Sequence, residues 1–435
     1  SNGTQLWNRE FFVPIHEHFS DFTFDNTGNL IYAFTDYSDS TSEDFRTVKI
    51  TPNDGNVVCS KTQNNTYYSE DHPIAFRKDS FGNIFILADN GNHGLICIKY
   101  DNAGNQLWDI KDISKIPLQL DVDEDGNSFI LSRHKDSLGH YYTTTKVNAQ
   151  GVVQWNAKYY ARWDLPFNYP EDAKVRTDNF GNAYVIGTEV VEDDQNFFVL
   201  KYNAQGTQEW NTHYSYPSIN SYDNFLGISM LTNQKIVITS TSSFDDSLGF
   251  NKIVTTLCYN SSGNQLWVNH YSENNFDLQF TAIDLKVDDS ANVFVLIKSL
   301  TTPSPYGYAV VQYDSGGNLM QTVKSDTSLG NILDVEILLV DVAGNMYIGR
   351  AYSDYPNYYF AIDKYNSVGN FEWTTNYIPQ EQRCHLGSGT IDNYGNCYFT
   401  VNHFIGQINN VNYSKFSTVK VSSGGEILWD VEFLE

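Results

Sequence analysis

Five cysteines in 435 residues, none in CxxC spacing, give no basis for a disulfide framework or a thiolate metal site. Cys59, Cys97, Cys258, Cys384 and Cys397 read instead as mostly buried thiols. Positive charge is scarce as well: 27 Lys and Arg stand against 52 Asp and Glu, a net charge of −25. A field of that sign repels phosphate backbones and anionic lipid, which disfavours nucleic acid and membrane surfaces as partners. No apolar run approaches the ~20 residues needed to cross a bilayer, and no stretch sustains a helical period. The chain also has no GxSxG elbow, P-loop, GxGxxG fingerprint or HExxH helix.

What the chain does have is a period. Gly3, Gly55, Gly104, Gly151, Gly206, Gly263, Gly317, Gly369 and Gly425 lie 47 to 57 residues apart. Four residues after seven of them stands a tryptophan: Trp7, Trp108, Trp155, Trp210, Trp267, Trp373 and Trp429. Cys59 and Gln321 fill the other two slots. Length alone would suggest about three domains. A regular repeat overrides that prior, because a unit this small cannot bury a core without its neighbours.

Each period reads as four short strands. In the unit from Gly104 to Gly151 they are 104–113, 118–122, 128–132 and 141–147, rich in Val, Ile, Tyr, Phe and Thr and separated by turns. Two turns recur. One is Asp-x-x-Gly-Asn, at 25–29, 79–83, 123–127, 178–182, 341–345 and 392–396, with a variant at 288–292 and a degenerate copy at 231–235. The other is Tyr-Asp/Asn-x-x-Gly before the tryptophan strand. In both, the Asp or Asn side chain accepts backbone N–H bonds and glycine supplies positive φ. Four antiparallel strands repeated around one internal fold predict an all-β chain, an eight-bladed β-propeller forming a single domain over 1–435. The tryptophan is expected on the outermost strand, filling the wedge between blades. Nine outer strands for eight blades leave one over, at residues 3–12. That strand either closes the ring by pairing into the last blade or remains from a longer array.

The paired motifs D-x-x-G-N-x-[YF] and Y-[DN]-x-x-G-N-x-x-W resemble the repeats of secreted bacterial β-propeller proteins. They are also similar to the tryptophan motifs of quinoprotein-like propellers, including the outer-membrane assembly scaffold lipoprotein. The resemblance covers essentially the whole chain and implies the fold far more than a function. It implies a secreted or cell-surface location. No leader precedes the first repeat, as in a chain whose leader has been removed, and the terminal Leu434-Glu435 reads as a cloning scar on an excised fragment.

Function is sought in what the repeat leaves over. The connections between strands two and three, and between one unit and the next, vary in length and emerge on one face, where binding usually resides. They are aromatic: "YYARWDLPFNYPED" (159–172), "HYSYPSINSYDN" (213–224), "TPSPYGYAV" (302–310) and "YSDYPNYYF" (352–360). Trp163 alone among the tryptophans falls outside the repeated slot. With Tyr160, Tyr169, Tyr216, Tyr222, Tyr306, Tyr355 and Tyr358 it forms the expected ligand platform, flat rings with polar rims suited to a glycan or protein. The bland alternative is that these rings order their own loops.

Three chemical readings are weaker. Asp121, Asp123 and Asp125 with Gly126 begin like a calcium loop, but Phe129 and Ser132 stand where further oxygen ligands belong. His16 and His18 would share a strand face without a third ligand. Glu192, Asp193 and Asp194 offer carboxylates, in a run that more often is a solvated loop. The expectation is therefore a monomeric, non-catalytic binding or adhesion module, with a structural scaffold segment, or a polysaccharide hydrolase or lyase, as alternatives.

Overall fold

The computed structural model describes residues 13–14, 19–25, 28–39, 42–51, 57–63, 72–89, 94–112, 114–162, 173–191, 194–218, 221–246, 249–272, 279–300, 307–325, 331–354, 357–377, 384–392, 394–408 and 411–433. Within them the regular structure is β-strand, save one 3-10 turn at Thr232–Gln234. That turn replaces the degenerate Asp-x-x-Gly-Asn copy, and Gln234, at φ 57°, takes the left-handed place of the glycine.

The strands run in antiparallel meanders of four. Their first strands are Phe19–Phe24, His72–Lys78, Ile116–Val122, Ala173–Thr177, Tyr222–Leu231, Phe280–Val287, Asn331–Val340 and Cys384–Ile391. Each touches the next in that order, and the last touches the first, which closes a ring. The apolar cores lie between neighbouring meanders. Phe129, Leu131, Val175, Val185 and Leu200 pack across one junction; Ile186, Phe197, Ile228, Ile238 and Leu257 pack across the following one. Shared cores are what units too small to fold alone require.

Hydrogen bonding groups the described strands into seven sheets, five of four strands, one of five and one of eight, instead of the eight separate sheets expected. The eight-stranded sheet holds two meanders, 173–214 and 222–271, joined by one parallel bridge between Gln195 and Tyr222. The five-stranded sheet gains Val13–Pro14, which pairs antiparallel with Val411–Val421, Val13 opposite Ser414. Residues 3–12 lie outside the described residues.

The repeated glycine and tryptophan meet between meanders. A bulge near the end of each third-to-fourth strand ladder sets the tryptophan opposite a lysine in Lys99–Trp108, Lys146–Trp155, Lys201–Trp210 and Lys364–Trp373. The indole N–H then donates to a turn carbonyl of the next meander: Trp108 to Ala149 at 3.1 Å, Trp155 to Ala204 at 3.0 Å and Trp210 to Ser261 at 2.9 Å. The glycine of that turn lies against the ring. A Cβ on Gly206, whose φ is +81°, would come within 2.6 Å of Trp155. Trp108, Trp155 and Trp210 keep partial exposure, so they clamp the neighbouring turn more than they fill a wedge.

Cys59 and Gln321 occupy the same slot, beneath Gly104 and Gly369, and Gln321 Nε2 reproduces the indole bond by donating to Ser367 O at 2.9 Å. Cysteine fills less of the space. A pocket remains there, lined by Ile31, Lys49, Cys59, Ile84, Tyr100 and Gly104. Cys59→Trp is expected to raise stability by about 1 kcal/mol through cavity filling. A melting temperature that stays level or falls would show that the slot cannot accept the ring. Cys59, Cys97, Cys258 and Cys397 are free thiols, and burial pushes Cys258 up to about 11.

The first strands also carry charge. Glu336 sits at a bulge between Val335 and Ile337. Burial first, and then the Asp334 charge, push its carboxyl up to about 7, while Lys298 pulls it down. A carboxyl raised on folding binds its proton more tightly in the native state. Its effect on stability is therefore neutral below the unfolded value near 4.5, and stability is lost as pH rises through 7. Glu336→Gln is expected to flatten that fall and to gain on the order of 1 kcal/mol at pH 8 after solvent screening. Urea denaturation of both proteins at pH 5 and pH 8 reads this directly; equal slopes with pH would contradict it.

Candidate functional site

The two regular turns consume their own chemistry. In the 79–83 turn, Asp79 Oδ1 accepts N–H bonds from Phe81 at 3.0 Å and Asn83 at 2.8 Å, and Oδ2 accepts Asn83 Nδ2 at 2.8 Å. Tyr184, Tyr347 and Tyr398 add a hydroxyl bond to the equivalent Asp178, Asp341 and Asp392. This side of the ring presents apolar turn tips, among them Phe81, Phe180 and Tyr394.

Asp121, Asp123 and Asp125 are used in the same structural way. Asp123 takes the turn position, with both oxygens bonded to Asn127. Asp121 belongs to the preceding strand: its Oδ2 accepts the Thr177 N–H at 2.8 Å on the neighbouring first strand, and its Oδ1 lies 3.6 Å from Arg77 Nε. Asp125 is exposed at the turn tip. The D-x-D-x-D-G spacing thus merges a strand aspartate with a turn aspartate. Among the described residues, no three His, Cys, Asp or Glu gather as a metal group.

Of the aromatic candidates, Trp163, Tyr169, Tyr306 and Tyr355 lie outside the described residues, as do His16, His18, Glu192 and Asp193. Tyr358 stands on the strand Asn357–Tyr365 opposite Ser353. Tyr160 is 40% exposed and held in place. Its hydroxyl donates to Asp136 Oδ2 at 2.9 Å, and its ring sits 5.2 Å from that of Tyr141. Lys158 Nζ lies 4.1 Å over the Tyr141 ring and 3.7 Å from Asp136. The Leu138 N–H first, then Tyr160 and Lys158, keep the Asp136 carboxyl below its ordinary value.

Tyr216 and Tyr222 come together at the Gln195–Tyr222 bridge. Tyr222 is 47% exposed. Tyr216 is half-buried, stacked 4.7 Å from Phe244 and edge-on to His270 at 5.1 Å, so it supports the site more than it offers a face. Beneath them runs a polar row that sequence reasoning missed. Asp223, fully buried, accepts the Tyr216 N–H at 2.7 Å through Oδ2 and stands opposite Ser242 in the ladder. Ser242 Oγ is 3.2 Å from Thr255 Oγ1, which is 3.1 Å from His270 Nδ1. Burial pushes the Asp223 carboxyl up to about 6; the Ser242 and Tyr216 bonds oppose this and the Asp194 charge adds to it. Burial also lowers His270. Asp223 is therefore able to hold a proton near neutral pH, and the row anchors Tyr216 through Asp223 and His270.

No protein-family model and no curated protein sequence matches the chain. Among solved structures it is similar to the Dos1 propeller, at 10% identity over 97% of this chain and 96% of that one, with a TM-score of 0.51. It is also similar to the polysaccharide lyase Uly1, at 10% identity over 80% and 89% with a TM-score of 0.49. A third likeness is to the β-propeller domain of the Trilobed protease from Pyrococcus furiosus, at 8% identity over 82% and 95% with a TM-score of 0.45. At such identity the Dos1 likeness establishes the fold alone, a β-propeller of four-stranded antiparallel sheets.

Proposed function

We propose that the protein is an eight-bladed propeller acting as a non-catalytic, secreted or cell-surface binding module, with a glycan as its ligand. The closed order of eight first strands supports the blade number, since it counts the two meanders of the eight-stranded sheet separately. Val13–Pro14 then serves as the clasp between the chain's start and its last blade. The observation that carries the binding reading is the pair Tyr160 and Tyr222. Tyr160 lies on an irregular connection and Tyr222 opens the strand Tyr222–Leu231; both rings are exposed, the Tyr160 ring held by its bond to Asp136 and Tyr222 held through its backbone bridge to Gln195. Rings fixed in this way stack on the apolar face of a sugar at small entropic cost. Trp163, Tyr169, Tyr306, Tyr355 and Tyr358 fall in the same variable stretches of the sequence.

A glycan array probed with the whole chain tests this. Binding to one sugar class, weakened at least tenfold by Trp163→Ala or Tyr222→Ala, is expected. An array without signal, or turnover of a bound polysaccharide, would overturn the non-catalytic glycan reading.

A further inference from the structure

The turn repeat sets one residue of each regular first strand at the same level, two places before the turn aspartate. Ahead of Asp79, Asp123 and Asp178 those residues are Arg77, Asp121 and Arg176. They belong to three consecutive blades, since the strand Ile116–Val122 touches both His72–Lys78 and Ala173–Thr177. The first strands touch one another around the ring, so their unpaired edges face the axis. The Thr177 N–H leaves its own sheet to meet Asp121 Oδ2, which places Asp121 and the polar groups of Thr177 on that edge. Backbone groups of an antiparallel strand change edges with each residue, so the Val175 carbonyl lies there too. Arg176 Nη1 donates to Val175 O at 3.0 Å. At the matching place in the repeat, Arg77 Nη1 donates to Phe76 O at 2.7 Å. Both guanidiniums therefore stand in the axial channel.

The charges at this level do not balance. Asp121 Oδ2 is filled by the Thr177 N–H and hydroxyl, at 2.8 and 3.2 Å, and Oδ1 stands 3.6 Å from Arg77 Nε. That loose contact is the one ion pair of either arginine among the described residues. Each guanidinium carries five N–H donors, and each makes one hydrogen bond among the described residues. Burial lowers Arg176 first; the Asp121 charge opposes this, and the Arg77 charge adds to it. Two partly buried guanidiniums thus repel each other across one carboxylate, in a chain whose net charge is −25. At the same level of another blade Lys286 has its own partner, Asp284 at 2.9 Å, so the excess rests with the arginines. Water can fill the open donors but cannot cancel the charge. A planar fork with open donors matches the paired oxygens of an oxyanion, and the low-dielectric walls of a channel strengthen the attraction.

We propose that Arg77 and Arg176 form a binding site for a small oxyanion in the axial channel, with Asp121 holding Arg77 and tempering the affinity. The chemistry recognised is a negative group of equivalent oxygens, as in sulfate, phosphate or a carboxylate. The site lies at the regular-turn end of the channel, because its residues stand just before those turns. Tyr160 and Tyr222 lie at the other end of the blades, so the site holds whether or not those rings bind a glycan.

Isothermal titration calorimetry of the whole chain tests this, at constant ionic strength in chloride buffer, with sodium sulfate, inorganic phosphate and glucuronate as probes. Saturable one-to-one binding of at least one probe is expected. Preference for sulfate or phosphate would assign the site to a tetrahedral anion, and preference for glucuronate to a carboxylate. Arg77→Gln and Arg176→Gln should each weaken binding about tenfold or more, the loss of charge-assisted bonds. Arg176→Lys keeps the charge but loses the fork and should weaken it about threefold. Asp121→Asn keeps an acceptor for the Thr177 N–H while removing the competing charge, and should tighten binding about threefold. A structural lesion does not tighten binding, so this variant keeps the test decisive where an arginine variant folds poorly. No saturable heat from any probe in the parent chain would overturn the proposal. So would an affinity that Arg176→Gln leaves unchanged, or that Asp121→Asn weakens.

Discussion

Asp363→Ala is expected to destabilise the protein by about 3–5 kcal/mol, because it strips the counter-charge from an arginine that has no access to water. Arg350 and Asp363 are 1% and 0% exposed. Arg350 Nε meets Asp363 Oδ2 at 2.6 Å and Nη2 meets Oδ1 at 3.2 Å. The same carboxylate accepts the Tyr308 hydroxyl at 2.6 Å and the Thr374 hydroxyl at 2.7 Å. Tyr308 comes from the neighbouring meander, so the ion pair also fastens one blade to the next. Loss of the carboxylate costs its hydrogen bonds and leaves a desolvated guanidinium. Replacing both partners, as in Arg350→Met with Asp363→Leu, removes the charge altogether and should restore most of the loss. Urea unfolding of the single and double variants measures the difference. A single variant within 1 kcal/mol of the parent would mean that the pair is not desolvated as described.

The second large effect belongs to the repeat itself. Gly206→Ala is expected to cost about 3 kcal/mol, and Gly28→Ala only about 1 kcal/mol. Both glycines hold positive φ, +81° and +83°, so both pay for an L side chain in that conformation. At Gly28 a Cβ meets nothing within 4 Å, whereas at Gly206 it would strike the Trp155 ring at 2.6 Å. The tryptophan can retreat only by giving up its 3.0 Å bond to Ala204 O and its edge contact with Phe129. Trp155→Ala should cost a similar ~3 kcal/mol, the low end for a large aromatic because the ring is part exposed. In the double variant with Gly206→Ala the clash is gone, so the two losses should fall short of their sum. Full additivity would show that the two residues do not touch in solution.

These residues explain what could be read from the chain alone. The glycine, aspartate, asparagine and tryptophan of the repeat were readable because each answers a local demand: a positive φ, a turn acceptor, a ring-sized slot. The lysine facing the tryptophan escaped notice although it precedes the turn visibly, as in Lys99-Tyr100, Lys201-Tyr202 and Lys364-Tyr365. A lysine in a strand reads as surface, yet Lys99 is buried, its Nζ 3.5 Å from Asp79 and 4.6 Å over the Phe85 ring. Arg350 and Asp363 lie on adjacent strands of one sheet, and only strand pairing makes them partners. Asp223 depended on a departure from the repeat, the Gln195–Tyr222 bridge, which no motif announces. Asp121 shows the converse: its spacing to Asp123 and Asp125 is that of a calcium loop's start, while in the strand its carboxylate meets Thr177 and Arg77.

The same logic separates the two sides of the ring, and that separation carries the functional proposal. One side ends in self-satisfied turns with apolar tips; the other bears the exposed rings of Tyr160 and Tyr222. The most direct measurement is glycan affinity for two matched sets of alanine variants, Tyr160, Trp163 and Tyr222 on the irregular side and Phe81, Phe180 and Tyr394 on the regular side. Affinity should fall at least tenfold for each of the first set and stay within twofold of the parent for the second. Loss of binding confined to Phe81, Phe180 or Tyr394 would place the ligand on the opposite side and contradict the assignment.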